Sequence, residues 1–344
     1  MGEFNMFWFS KTCTYLKEGI SRLKGSPIYD LLYKIGFPAR WRPIGVDMGD
    51  DAVKLVQLED RGRGVSLIAG GSENQPADVK SGSGNWQRWA IEALKRQVAN
   101  GKFRGKGVIA AIPANEVFIE HMKMPKVKDK NDKLEDVILS KIKQKLPIEP
   151  DNIMIKYIPT EEDNVLVIAT ERGKIDRHLA IYEKADLEIK SICVWPTALV
   201  NGYVRFFGRR KTDIKAIVIL LDIGTNCTNV VICRHKNLLF AHSIPIGARQ
   251  LDSEETVARL VLELTACRRY FTSMHKKAQI ERLIFLSGQS VDKSIYTTIA
   301  KQMEMPAQLG DCLAAVEIAD PYKAGIDRRG CQFSWATAFG LSLS

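Results

Sequence analysis

Apolar and polar positions alternate along the chain at periods that predict its elements. From Ile44 to Leu58 the run "IGVDMGDDAVKLVQL" is apolar at strand spacing on both sides of an Asp-x-Gly break, which predicts two strands joined by a tight turn. The segment "GVSLIAGG" at 64–71 adds a third strand to a meander. Beyond a Ser/Gly/Asn loop, "KSGSGN", residues Trp86, Trp89, Ile91, Leu94 and Val98 recur at helical spacing, and Gly101 supplies the stop. The unbroken apolar run "GVIAAIP" at 107–113 predicts a strand covered on both faces.

Between Pro113 and Pro196 the texture changes to a strand in "EVFIEHMKMP", a charged helix around "KLEDVILSKIKQKLP", strands in "IMIKYIP" and "NVLVIATE", and a closing helix and strand. This predicts an inserted α+β subdomain. A second three-stranded meander follows in "KAIVILLDIGTNCTNVVICRHKNLLFAHSIPIG". A helix at 253–274, the strand "RLIFLSGQS", a helix at 292–304 and a short terminal helix complete the chain.

At 344 residues and 45% apolar composition the chain can form two domains, each with its own core. The net charge of +10 favours a polyanionic surface, nucleic acid, lipid or acidic protein alike. The sequence shows no RNP-like aromatic pattern, no zinc-finger spacing and no basic helix followed by heptads, so no nucleic-acid partner is expected. Lys126, Lys128, Lys130, Lys133, Lys141, Lys143 and Lys145 supply much of the excess and read as a solvated face of the insertion. The seven cysteines form no Cys-x-x-Cys pair and their number is odd, which argues for reduced thiols in a cytoplasmic protein. The five histidines form no ligand pair of the zinc type.

No stretch reaches the roughly 18 apolar residues of a spanning helix. Residues 1–40 read as an amphipathic extension, with Phe7, Trp8, Phe9, Tyr15, Leu16, Ile20 and Leu23 near one helical face and Lys11, Lys17, Arg22 and Lys24 beside it. Such a face suits an anionic membrane interface, and equally a docking surface on the body of the protein or on another chain.

The two meanders match in register. Residues 46–56, "VDMGDDAVKLV", align with 221–231, "LDIGTNCTNVV", placing Asp47 over Asp222 and Gly49 over Gly224. A single Asp-x-Gly is most often a plain hairpin, but one per half, with a third strand ending in "LSG" at 286–288, makes a far more specific set. At such tips glycine lets backbone amides approach a phosphate, and an Asp at the strand end can hold hydrated magnesium.

With these motifs the chain resembles the actin and sugar-kinase superfamily, and within it the PilM family of type IV pilus assembly proteins. The resemblance covers about residues 42 to 344 and includes "IPIGARQL", "SWATAFGLSLS" and the inserted "KLEDVILSKIKQKLPIEPDNIMIKYIP". It implies an α/β, actin-like (ribonuclease H-like) two-domain fold with duplicated strand meanders and an inserted 1C-like α+β subdomain. The implied divisions are 41–112 with 197–214 as the first domain, to which 331–344 returns, 113–196 as the insertion, and 215–330 as the second domain. It further implies ATP and magnesium as ligands. Asp47, Gly49, Lys54, Asp222, Gly224, Thr225 and Asn226 would face phosphate and metal, Asp47 and Asp222 would hold magnesium through water, and Ser287 and Gly288 would line the nucleoside. The implied place is the cytoplasmic face of the inner membrane, and the implied partner is the cytoplasmic tail of a PilN-like membrane protein.

Four departures cluster at that site. Asp50, Asp51 and Ala52 stand where the family's first loop carries hydroxyl residues, and Gln289 and Ser290 follow "LSG" in place of glycines. Trp195 stands where the family's Val-Glu-Pro turn has its carboxylate, and only a few residues separate "IPIGARQL" from the next helix. A carboxylate about 4 Å from a phosphate costs on the order of 4 kcal/mol at an effective dielectric near 20, and an indole cannot orient water as a carboxylate does. The expectation is a scaffold that keeps the fold with weakened or lost nucleotide chemistry. An active ATPase or kinase, and an FtsA-like membrane-associated polymer, are the alternatives.

Overall fold

A computed structural model describes residues 40–344, apart from 50, 62–63, 125–133, 147–148, 150–151, 288–290, 319–325 and 327–333. The amphipathic extension read over residues 1–40 therefore lies outside the described residues but for Arg40.

The first half begins with β1 (Arg40–Trp41), β2 (Ile44–Met48), β3 (Ala52–Arg61) and β4 (Gly64–Asn74). The strands β2, β3 and β4 form the antiparallel meander that the alternation predicts. Helix α1 (Gly84–Asn100) starts where the Ser83 hydroxyl accepts from the Trp86 amide, and it buries Trp86, Ala90, Ala93 and Leu94. It carries the chain to β5 (Gly107–Ile112), which pairs parallel with β2.

The insertion is a three-stranded sheet of β6 (Phe118–Lys123), β7 (Ile153–Pro159) and β8 (Asn164–Glu171), ordered β6-β8-β7, with α2 (Leu134–Lys143) beside it. Ile138 and Ile142 of α2 share a small core with Val165, Val167 and Ala169 of β8. The last helix and strand that the sequence grouped with the insertion go elsewhere. Helix α3 (Arg172–Lys184) buries Ile181 and Tyr182 in one cluster with Trp86 and Leu94, and β9 (Glu188–Val194) pairs parallel with β5. Strand β9 has a mixed burial pattern because it is an edge strand, and edge strands of either sheet look alike in sequence.

Helix α4 (Trp195–Phe206), the short α5 (Lys211–Lys215) and β10 (Ile217–Ile223) lead into the second half. Strands β11 (Thr228–Arg234) and β12 (Asn237–Ile244) complete the second meander. Helix α6 (Glu254–Met274), β13 (Ile280–Phe285), α7 (Lys293–Gln302) and β14 (Ala307–Leu309) then alternate. Helix α6 has Ser253 as its N-cap and Glu254 and Glu255 in its first turn, where they complement the helix dipole. The chain returns to the first sheet through α8 (Cys312–Ala315) and β15 (Glu317–Ile318), and ends in α9 (Ala336–Ser342).

The duplication seen in sequence is complete in topology. The central strands run β4-β3-β2-β5-β9 in one sheet and β12-β11-β10-β13-β14 in the other. Helices α4 and α9 lie between the halves, and one cluster joins Trp195, Leu199 and Tyr203 to Val218, Leu220, Ala338 and Phe339.

The insertion docks on the second half through an aromatic contact. The His121 ring of β6 stacks on Phe240 of β12 at 4.4 Å, and its Nε2 accepts from the Ala241 amide at 3.2 Å. Burial, with smaller contributions from His242 and His275, lowers the His121 pKa to about 3. A protonated Nε2 would face a donor. The folded pKa lies below the unfolded one, so this stability is present above about 6.5 and is lost as pH falls toward the folded value. At pH 5 the His121 share of the loss is expected to be about 1–2 kcal/mol, at 1.36 kcal/mol per unit. Thermal melts of His121→Phe should therefore show a shallower acid slope than the parent; parallel slopes would refute it.

Candidate functional site

The two turns at the tips of β2–β3 and β10–β11 are built alike. The Gly49 amide donates to the Ala52 carbonyl at 3.0 Å, and the Gly224 amide donates to the Cys227 carbonyl at 2.9 Å. The loop after β12 packs on the second turn, where the Ala248 amide donates to the Gly224 carbonyl at 2.8 Å and the Arg249 amide to the Thr225 carbonyl at 3.2 Å. A Cβ on Gly247 would come within 2.5 Å of the Thr225 and Asn226 backbone, which explains the glycine of "IPIGARQL" as a close backbone approach.

The turns face each other across a cleft lined by Asp47, Gly49, Asp51, Lys54, Asp222, Gly224, Thr225 and Asn226, with Ile112, Pro113, Trp195, Ser334 and Thr337 among its other walls. Seven of the nine site residues expected from sequence therefore meet at one place. Ser287 does not join them. It is fully buried, and its hydroxyl accepts from the Ile223 amide at 2.5 Å. Gly288 lies outside the described residues, as does Asp50.

Strand register sets the ion pair at the centre. Lys54 is the cross-strand partner of Asp47, and its ammonium lies 2.9 Å from the Asp47 carboxylate. The same nitrogen donates to the Ser334 carbonyl at 3.1 Å. Burial pulls the Lys54 pKa down, but Asp47, Asp51 and Asp222 outweigh it and raise it well above the ordinary value. In the second hairpin Asp222 faces Asn229, and the Ser334 hydroxyl donates to the Asp222 carboxylate. Burial pushes the Asp222 pKa up, and Ser334 and Lys54 pull against that shift. The Thr225 hydroxyl donates to the Asp51 carboxylate across the cleft. Trp195 opens α4, is 2% exposed, and its indole Nε1 has no hydrogen-bond partner among the described residues.

Ser334 and Thr337 were not found from sequence. They lie in the closing "SWATAFGLSLS", which the resemblance returns to the first domain without giving these two residues a role.

A family model described as "Type IV pilus assembly protein PilM" matches residues 45–260, more than half of the chain. The chain belongs to this family. Among solved structures, the "PilM-PilN type IV pilus biogenesis complex" matches at 18% identity over 88% of this chain and 98% of that one, with a TM-score of 0.69. At that identity the match shows the actin-like fold. Ethanolamine utilization protein EutJ from Carboxydothermus hydrogenoformans matches at 13% identity, 89% and 90% coverage and a TM-score of 0.46. The cytoplasmic domain of EpsL, an inner membrane component of the type II secretion system of Vibrio cholerae, matches at 11%, 87% and 94%, also at 0.46. No curated protein sequence matches the chain.

Four features of the cleft bear on whether it could take ATP and magnesium. Three carboxylates line it against one ammonium, which is already paired. The Thr225 hydroxyl, a donor that phosphate would use, is taken by Asp51. The cavity measures about 70 Å³, against roughly 300–1,000 Å³ for a typical small-molecule site. Trp195 occupies one wall with a ring that can neither accept nor relay a proton from water.

Proposed function

We propose that the protein is a PilM-type scaffold at the cytoplasmic face of the inner membrane, binding the cytoplasmic tail of a PilN-like membrane protein and joining it to a type IV pilus or related secretion platform, without efficient ATP hydrolysis. Family membership supports the assembly role, and the solved PilM-PilN complex shares its fold. The observation that carries the scaffold reading is Trp195. An indole lines the cleft where the family resemblance puts a water-orienting carboxylate, while the sheets of both halves and of the insertion are formed. A platform protein needs that framework and no water-activating group.

Titration with a peptide of the tail of the neighbouring PilN-like protein should show saturable binding in the micromolar range, with the same affinity whether or not magnesium and ATP are present. Absence of binding at high micromolar peptide would count against the scaffold reading. ATP turnover that disappears in Asp222→Ala would replace it with a working ATPase.

A further inference from the structure

The polar groups of the cleft already have partners within it. The Asp51 carboxylate of the first turn takes the Thr225 hydroxyl of the second, so a side chain of one half occupies a donor of the other. The Lys54 ammonium is held by Asp47 and the Ser334 carbonyl, and it also feels the charges of Asp51 and Asp222. The Ser334 hydroxyl is in turn given to Asp222. A cation, three carboxylates and two hydroxyls, the groups that a phosphate and its metal would engage, thus satisfy one another. Because Ser334 leads into α9, which packs on β2 and α4, the contacts tie together the first sheet, the second sheet and the C-terminal segment.

We propose that Asp51 is the built-in anion of this cleft and Lys54 its built-in cation, clasping the two halves shut without nucleotide and making Asp51 the residue that excludes polyphosphate ligands. The proposal rests on the scaffold reading, since a scaffold gains from one fixed arrangement of its halves. Asp51 is half-buried at a turn, so its substitution leaves the cores untouched.

Two measurements on the full chain test it. Melting temperatures of Asp51→Ala, Thr225→Val and the double variant report the clasp. Each single change should lower the value by about 1–2 °C, the shift expected for the loss of one net hydrogen bond in a chain of 344 residues. The double variant should melt no lower than the weaker single one, because both remove the same bond. Additive losses would overturn the clasp.

Calorimetry with magnesium-ATP and with inorganic tripolyphosphate reports the exclusion. Asp51→Ser should bind both at least tenfold more tightly than the parent. Equal affinities, or micromolar binding by the parent itself, would overturn it. Tail-peptide titration of the same variants separates the two readings. Unchanged tail binding leaves the scaffold standing if the clasp fails, and loss of tail binding in every form, the parent included, sinks the scaffold but not the clasp.

Discussion

Lys54→Met is expected to lower stability at pH 7 by about 3–5 kcal/mol, the cost of leaving buried charge uncompensated, as measured by urea denaturation. Methionine fills much of the same volume, so the loss is electrostatic. Asp222 is 5% exposed, burial pushes its pKa up, and Ser334 and Lys54 pull against that shift. Asp47 loses its only salt-bridge partner among the described residues.

The pH dependence gives the sign. The folded pKa of Asp222 is already above the ordinary 3.8, so its contribution is fully present below that value and is lost as pH rises through the folded one. Removing Lys54 raises the folded value further. The deficit of the variant should therefore shrink as pH falls from 7 toward 4. Lys54→Arg, which keeps the charge, should lose less and show no such recovery. A deficit below 1 kcal/mol, or one constant with pH, would mean that Lys54 does not balance these carboxylates.

Why this cleft was legible at all comes down to register. Asp47 and Asp222 could be paired because each ends a strand and precedes a two-strand turn, and a one-residue slip would have moved either to the other face. Lys54 came only with the family resemblance, and the structure makes it the cross-strand partner of Asp47. The carboxylate at position 51 was readable as a conflict with phosphate, but its resolution was not, since the Thr225 hydroxyl lies 174 residues away. Ser287 was hard to place from sequence for a related reason. In the string "LSG" a hydroxyl facing a ligand and one satisfying the Ile223 amide look the same, and only the packed sheet distinguishes them. The sequence groups β9 with the insertion because its pairing with β5 is decided by a crossover, and nothing in the strand itself records it.

The closing motif "SWATAFGLSLS" yields the second large effect, with a sign opposite to the one helix propensity gives. Glycine inside a helix normally costs about 1 kcal/mol relative to alanine, so Gly340→Ala in α9 would be expected to stabilise an isolated helix. In the folded chain a Cβ there would lie 1.8 Å from the Ala198 carbonyl oxygen and 2.4 Å from its carbon, backbone atoms of α4 that no rotamer can move. Gly45 of β2 marks the other side of the same helix, where a Cβ would stand 2.2 Å from the Ala338 oxygen and 2.5 Å from the Ser342 nitrogen. Helix α9 is thus held between a strand and a helix by two residues without side chains, and this seating sets Ser334 and Thr337 at the cleft.

Overpacking costs about 1–3 kcal/mol where side chains can adjust, and more where they cannot. Gly340→Ala should therefore destabilise by about 3 kcal/mol or more in urea denaturation. Gly173→Ala in α3 is the matched control. Its Cβ would meet nothing within 4 Å, so there propensity should prevail and stability should rise by a few tenths to about 1 kcal/mol. If both substitutions moved stability the same way, the close seating of α9 would be wrong, and with it the route by which the C-terminal segment supplies the Ser334 contacts to Lys54 and Asp222.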